Sequence, residues 1–440
     1  MPETEHYDAV IIGSGQAAGP LSTALSKAGR RTALIEREHI GGTCINEGCT
    51  PTKTMVASAR VAYMARRAGE YGVEDGAVGV YMSQVRTRKR RIVEEFRLGS
   101  LSAIESGEVD VLMGEASFTG PRSVRVKMID GAERRLEAEV VVIDTGSRPV
   151  TPRIPGLDSV PTLNSTTVMD LDVLPDHLLI LGGGYVGVEF AQLFRRFGSR
   201  VTIMQNGPAL LTREDPDVSA AVAGILREDG VQVLLEAQAD HVQPGQTAAI
   251  EISVKTPEGE MWVQGSHLLV ATGRRPNVEA LDLEKAGIST TERGVIRVDQ
   301  RLATDVPGVY AAGEVAGSPA FTHIAYDDFR ILRDNLVDGK ERTTKGRLVP
   351  YTVFIDPQLG RVGLTEAEAR AEGLDIAVAR LPMSSVARAE EVGETRGAMK
   401  VVIDRATRTI LGCAILGIEG GELMAMVEIA MMGGLPYTAL

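Results

Sequence analysis

The chain has 440 residues, of which 44% are apolar and 24% charged, an ordinary balance for a globular protein that buries real cores. Its net charge of -12 argues against nucleic acid as a main partner. No apolar run reaches the ~18 residues that a membrane span needs, and the N-terminus MPETEHYDAVIIGSG has no basic, apolar leader. A cytoplasmic protein of about three domains is expected, at roughly 150 residues per domain.

The first forty residues read strand, glycine turn, helix, strand. YDAVIIG is a short apolar run, SGQAAGPLSTALSKAG a small-residue helix and RTALIERE a second strand. Gly13, Gly15 and Ala18 fit the dinucleotide fingerprint G-x-G-x-x-G/A. The first glycine permits the tight turn, the second admits a pyrophosphate and the third small residue allows close helix packing. The phosphates then lie against a helix N-terminus. Glu36 closes the second strand, where an acid accepts hydrogen bonds from an adenosine ribose.

The pattern occurs again in HLLILGGGYVGVEFAQLFRRFGSRVTIMQNG, which supplies Gly182, Gly184 and Gly187 between a strand and a helix. Two fingerprints, each in strand–turn–helix–strand context, predict two nucleotide sites. A strand ending in Thr145-Gly146-Ser147 follows the first unit, and one ending in Thr272-Gly273 follows the second. Each reads as a crossover where a nucleotide domain closes. TDVPGVYAAGEVAG, containing Gly313 and Glu314, is a further strand into a glycine turn, and an α+β segment begins near residue 348. The basic run RTRKRR at 86–91 reads as a solvated helix face.

Two of the three cysteines fall in GGTCINEGCTPTK, residues 41–53. In a regular helix, five residues climb ~7.5 Å, beyond the ~4.4–6.8 Å between Cα atoms that a disulfide allows. Pairing of Cys44 with Cys49 therefore demands a tighter path, which Asn46 and Gly48 make easy. Pro51 suits a first helical turn, so a helix is predicted from about Thr50 with Cys49 at its N-terminal lip, a position that favours thiolate. A redox-active disulfide with Cys49 as the more acidic thiol is predicted. A metal site and two unrelated buried thiols stand as the alternatives. The first lacks further ligands nearby, and no bound metal is expected. Cys413, in TILGCAILG, reads as a core strand residue.

On these motifs, over essentially its whole length, the chain closely resembles the FAD-dependent pyridine nucleotide–disulfide oxidoreductases, a family that includes dihydrolipoamide dehydrogenase, glutathione reductase and mercuric reductase. FTHIAYDDFRIL and VPYTVFIDPQLGRVGLTE resemble the mercuric reductase branch. The resemblance implies an α/β fold of two Rossmann-like, doubly wound nucleotide-binding domains plus an α+β C-terminal dimerisation domain. Its divisions are an FAD domain at 1–150 and 277–345, an NAD(P) domain at 151–276 and an interface domain at 346–440. It implies that the first fingerprint and Glu36 hold FAD, with Gly42, Thr43, Thr145, Gly146 and Gly313 along it and Glu314 at the ribityl chain, where the family usually has Asp. Cys49 is then the flavin-facing thiol and Cys44 the interchange thiol. Lys53 approaches the flavin N5 and pairs with Glu189. Gly182, Gly184, Gly187, Gln205 and Gly273 belong to the nicotinamide site.

The implied reaction carries a hydride from the nicotinamide to FAD and two electrons on to the Cys44–Cys49 disulfide. The dithiol then reduces a small-molecule acceptor, whether a metal ion such as Hg(II), a disulfide or another oxidant. The strand before Gln205 ends without the acid that selects NADH, which favours NADPH. A homodimer is implied as well. The resemblance also implies a His-Pro-Thr segment beyond MMGGLPYTAL. The sequence stops at Leu440, so a truncated interface domain is expected, with dithiol–disulfide exchange short of the ~10²–10⁴-fold that an acid–base partner supplies. A diaphorase that bypasses the cysteines and a redox-sensing flavoprotein are the competing functions.

Overall fold

The computed structural model describes residues 3–74, 76–246 and 249–440. The chain divides into two compact units, the first made of Met1–Thr52, Arg88–Pro149 and Arg274–Arg347 and the second of Lys53–Thr87, Val150–Gly273 and Leu348–Leu440.

The first unit is built on a largely parallel sheet. Thr4–Ile12 lies between Thr32–Glu36 on one side and Glu133–Ile143 on the other, and Val309–Ala311 extends the sheet beyond Glu133–Ile143. These strands are near-continuous runs of Val, Ile and Ala because both faces are covered, the pattern expected of a parallel sheet. Leu21 and Leu25 of the helix Ala18–Lys27 are fully buried, as are Ile331 and Leu332 of the helix Thr322–Leu336. Asp110–Gly120 pairs first with Thr32–Glu36, then folds back through Ser123–Met128 to Glu133–Ile143. The register brings three strand ends level: the N–H of Gly13 bonds Ile35 O, that of Asp144 bonds Ile12 O and that of Ala312 bonds Ile143 O. Three glycine-bearing turns therefore leave the same carboxyl edge, the place where open α/β sheets bind ligands.

The second unit repeats the theme in the parallel order Gln232–Leu234, Arg200–Met204, His177–Leu181, His267–Val270, Thr162–Leu163. The helix Tyr185–Phe197 buries Phe190, Phe194 and Phe197. A three-stranded antiparallel sheet runs from Gln238 to Gly265. A five-stranded antiparallel sheet, covered by the helix Gly420–Met432, forms the C-terminal part. Cys413 is buried on the strand Ile410–Gly417, where burial pushes its thiol up to about 11. Residues 53–87 pack in this unit because Met55, Ala59 and Met82 join its core.

A buried ionic network organises the second unit. Arg196 stacks its guanidinium on Tyr63 and pairs with both Asp229 and Asp356. Arg396 reaches Asp229 at 2.6 Å and Glu394 at 2.6 Å. Gln192 completes it, donating to Asp229 and to the carbonyl of Asp356 while accepting the Asp356 N–H.

The basic run lies on the helix Met82–Glu105 and is mostly exposed, Arg91 pairing with Glu95 one turn on. Lys89 departs from the solvated-face reading, since it is buried. No helix among the described residues is long and apolar enough to cross a membrane.

Candidate active site

In the first unit, the fingerprint turn is shaped by close backbone approach. A Cβ on Gly13, whose φ is +96°, would sit 2.2 Å from the carbonyl oxygen of Asp144. Gly42, at φ +62°, passes so near that a Cβ would lie 2.7 Å from Gly15 Cα. The helix Ala18–Lys27 starts without a side-chain cap from its own N-cap residue, and the N–H of Ala18 is accepted instead by the carboxylate of Asp144 at 3.0 Å.

Glu36 is held over this turn. Its carboxylate accepts the N–H and hydroxyl of Ser14 at 3.1 and 2.6 Å and the N–H of Glu38 at 2.8 Å. Thr145 and Gly146 are locked to Asn277 by three bonds: Thr145 Oγ1 to Asn277 O, Asn277 Nδ2 to Thr145 O and Asn277 N to Gly146 O. Gly313 carries a positive φ, and its N–H is accepted by the buried carboxylate of Asp328, itself paired with Arg347. Glu314 is strapped from two sides, by the hydroxyl of Ser147 and by Arg274 Nε at 3.5 Å. The glycine cradle, the acid at the end of the second strand and the level turns fit an extended dinucleotide.

The segment between the two cysteines is more ordered than a tight turn. Gly42–Asn46 forms a short helix that contains Cys44, and the chain breaks at Glu47 and Gly48 before a second helix, Cys49–Arg66. Asn46 makes the break, its Nδ2 donating to the carbonyls of Ile40 and Gly42 at 3.0 and 2.9 Å while Arg97 holds its Oδ1. Cys49 is exposed and opens the second helix, one residue earlier than the proline implied. Cys44 is half-buried.

One hydroxyl serves both sulfurs. Thr322 Oγ1 donates to Cys44 Sγ at 2.9 Å and lies 3.3 Å from Cys49 Sγ. Thr322 lies in FTHIAYDDFRIL but is not among the site residues that the sequence motifs single out. Thr322 opens the helix Thr322–Leu336, and nothing local in the sequence ties it to cysteines more than 270 residues away.

In the second unit, Lys53 Nζ pairs with Glu189 Oε2 at 2.7 Å and lies 4.8 Å from the centre of the Phe354 ring. Glu189 is buried, its other oxygen accepting the N–H of Phe354 at 2.8 Å. Gly182 and Gly187 repeat the first fingerprint's crowding: a Cβ on Gly187 would meet Gly182 O at 2.0 Å, whereas one on Gly184 would meet open space. Gln205, just after the strand Arg200–Met204, turns onto the glycine turn that follows His177–Leu181, its Oε1 accepting the N–H of Gly183 at 2.9 Å. Gly273, at φ +136°, also has open space where a Cβ would stand, and its carbonyl accepts the N–H of Val150. Among the described residues no group of three or more His, Cys, Asp or Glu could hold a metal ion.

The predicted residues thus fall in two sets. Gly13, Gly15, Ala18, Glu36, Gly42, Thr43, Cys44, Cys49, Thr145, Gly146, Gly313 and Glu314 belong to the first unit, and Lys53, Gly182, Gly184, Gly187, Glu189, Gln205 and Gly273 to the second.

Comparison with known proteins shows the family and the fold. Residues 7–328 match the family described as pyridine nucleotide-disulphide oxidoreductase, and residues 349–440 match its dimerisation domain. The chain is 39% identical over 439 residues to the probable pyridine nucleotide-disulfide oxidoreductase RclA of Escherichia coli (strain K12), covering 99% of this chain and 94% of RclA. It is 38% identical to a mercuric reductase of Streptomyces lividans, covering 99% and 92% of the two chains. Among solved structures, the Cu(II) complex of the HOCl-induced flavoprotein disulfide reductase RclA from Escherichia coli superposes with a TM-score of 0.89 at 38% identity, covering 99% of this chain and 95% of that one. Two Rossmann-like nucleotide-binding domains and a C-terminal dimerisation domain, with the fingerprints and cysteine motif they carry, make this chain a member of the FAD-binding pyridine nucleotide–disulfide oxidoreductase family.

Proposed function

We propose that the protein takes two electrons from NADPH through FAD to the Cys44–Cys49 pair and delivers them to a small acceptor. The observation that carries this reading is the single Thr322 hydroxyl within hydrogen-bond reach of both sulfurs. When bound, FAD supplies the relay between a two-electron hydride donor and sulfur.

The chain's own residues prepare the sulfurs. Cys49 stands in the first turn of an 18-residue helix, where the helix dipole favours thiolate. Cys44 is the attacking thiol: its thiolate bonds to one sulfur of a disulfide acceptor, the acceptor's other sulfur leaves as thiolate, and Cys49 then displaces the remaining half to restore the intramolecular disulfide. Thr322 stabilises whichever sulfur carries the charge. Lys53, one turn beyond Cys49 in the same helix and held by Glu189, is assigned the cation beside the flavin. Glu36 is assigned the adenosine ribose and Glu314 the ribityl chain. Gln205 offers no carboxylate to repel a 2′-phosphate, which supports NADPH. The helix Gly420–Met432 leaves Met426, Ile429 and Met432 exposed within the segment matching the dimerisation domain, which supports a homodimer.

Acceptors are a disulfide or a thiophilic metal ion. Hg(II) is suggested by the mercuric reductases and Cu(II) by the RclA complex. The test is an anaerobic titration with NADPH, repeated with NADH, in which cysteines are alkylated and counted by mass at each step. Two additional alkylated cysteines per two electrons, at lower NADPH than NADH, are expected. Loss of flavin absorbance with an unchanged thiol count would replace this reading with direct flavin-to-acceptor transfer.

Thr322→Val should raise the pKa of the reactive thiol. A hydrogen bond to a charged group contributes about 1.5–3 kcal/mol, equivalent to about 1–2 pKa units. The pH profile of iodoacetamide alkylation of the reduced protein measures it, and Thr322→Ser should restore the wild-type midpoint. Equal midpoints in all three proteins would remove Thr322 from the chemistry.

A further inference from the structure

The motif that closes the first nucleotide unit contains a residue the proposed reaction does not use. Asp144 follows the strand Glu133–Ile143 and is buried at the carboxyl edge of the sheet. Its side chain points under the fingerprint: Oδ2 accepts the N–H of Ala18 at 3.0 Å, at the start of the helix Ala18–Lys27. A Cβ on Gly15 would stand 2.6 Å from Oδ2, and one on Gly313 would stand 2.9 Å from Oδ1. One carboxyl group therefore packs under two glycine turns, both of them assigned above to the cofactor.

Its surroundings provide no compensating cation. The end of Thr4–Ile12 contributes only Gly13 and Ser14, and the start of Ala18–Lys27 only backbone N–H groups. The turn after Val309–Ala311 brings Glu314, whose charge is engaged by Ser147 and Arg274. The helix Thr322–Leu336 brings Asp328, paired with Arg347, and Glu36 is reached through Ser14. Among the described residues no ion pair is made to Asp144. Burial, reinforced by Asp328 and Glu314, pushes its carboxyl up to about 7 against the Ala18 N–H bond, which pulls the other way.

A pyrophosphate at this helix N-terminus brings negative charge to the N–H groups that an ionised Asp144 already occupies. A protonated Asp144 removes that conflict and adds an O–H donor under the loop. We propose that Asp144 binds a proton when FAD binds, so that retention of FAD weakens as pH rises. The proposal rests on the assignment of FAD to the first fingerprint. The sign follows from linkage: cofactor binding raises the carboxyl pKa further, so full affinity is present below the FAD-free value and is lost as pH rises through the FAD-bound value.

The experiment measures release of FAD from diluted holoprotein by the fluorescence of the freed cofactor, from pH 6 to pH 9, in wild type, Asp144→Asn and Asp144→Ser. Wild type should lose affinity with a slope that approaches about tenfold per pH unit. Both variants should give flat profiles, with Asp144→Asn near the acidic wild-type affinity because its amide retains an acceptor for Ala18 N–H and adds a donor. The serine variant guards against a folding defect peculiar to asparagine. A flat wild-type profile, or variants that keep the wild-type slope, would overturn the proposal while leaving FAD binding intact. Absence of stoichiometric FAD in all three proteins at pH 6 would overturn the cofactor assignment and the proposal together.

Discussion

Replacing Cys44 with serine should abolish turnover with a disulfide acceptor, a loss on the order of 10⁴-fold or more if the thiolate is the attacking group. A serine hydroxyl is neutral at pH 7 and cannot form the mixed disulfide that exchange requires. FAD content should not change, because the cradle is built from Gly13, Gly15, Gly42 and the neighbouring turns rather than from the thiol. Quinone reduction, which needs no sulfur, should persist and serves as the internal control. Cys49→Ser should behave alike toward disulfides. Steady-state assays with both acceptors check this, and full disulfide turnover in either variant would make the cysteines spectators.

The second large effect concerns stability. Arg196→Met should destabilise the second unit by about 3–5 kcal/mol, the usual cost of removing one partner from a buried ion pair. Arg196 is buried at the centre of the network, stacked on Tyr63. Its loss leaves the Asp356 carboxylate without its partner and Asp229 with Arg396 as its remaining cation. The paired charges were already costly to bury, so the penalty comes from the charges left behind more than from the lost attraction. Adding Asp356→Asn to Arg196→Met should recover part of the loss by removing the stranded carboxylate. Thermal unfolding followed by far-ultraviolet circular dichroism checks it. At about 2–4 °C per kcal/mol for a unit of this size, the single variant should unfold well below wild type, and a shift of a degree or less would show that the network is not needed.

What was readable from residue order is what short-range geometry dictates. Each fingerprint combines glycines that must adopt positive φ or accept a neighbouring backbone with a helix that must start within five residues. Those demands fall on adjacent positions, so they show in the sequence. The same holds for Cys49 at a helix start, since Pro51 announces the first turn. The pairing of Lys53 with Glu189, 136 residues apart, was reached through family resemblance and not through periodicity.

Thr322 and Asp144 lay beyond both routes. Thr322 meets Cys44 across 278 residues, and Asp144 meets Ala18 across 126. Which side chains share the carboxyl edge of the first sheet depends on strand order and register, with Glu133–Ile143 between Thr4–Ile12 and Val309–Ala311. An aspartate after an apolar strand reads locally as the polar end of that strand. Only when three turns are drawn level does it become a carboxyl group enclosed by two glycine loops. Local sterics thus settled where the two fingerprint turns and the cysteine pair had to be, whereas burial and charge at those places were decided by contacts that exist only once the sheet has assembled.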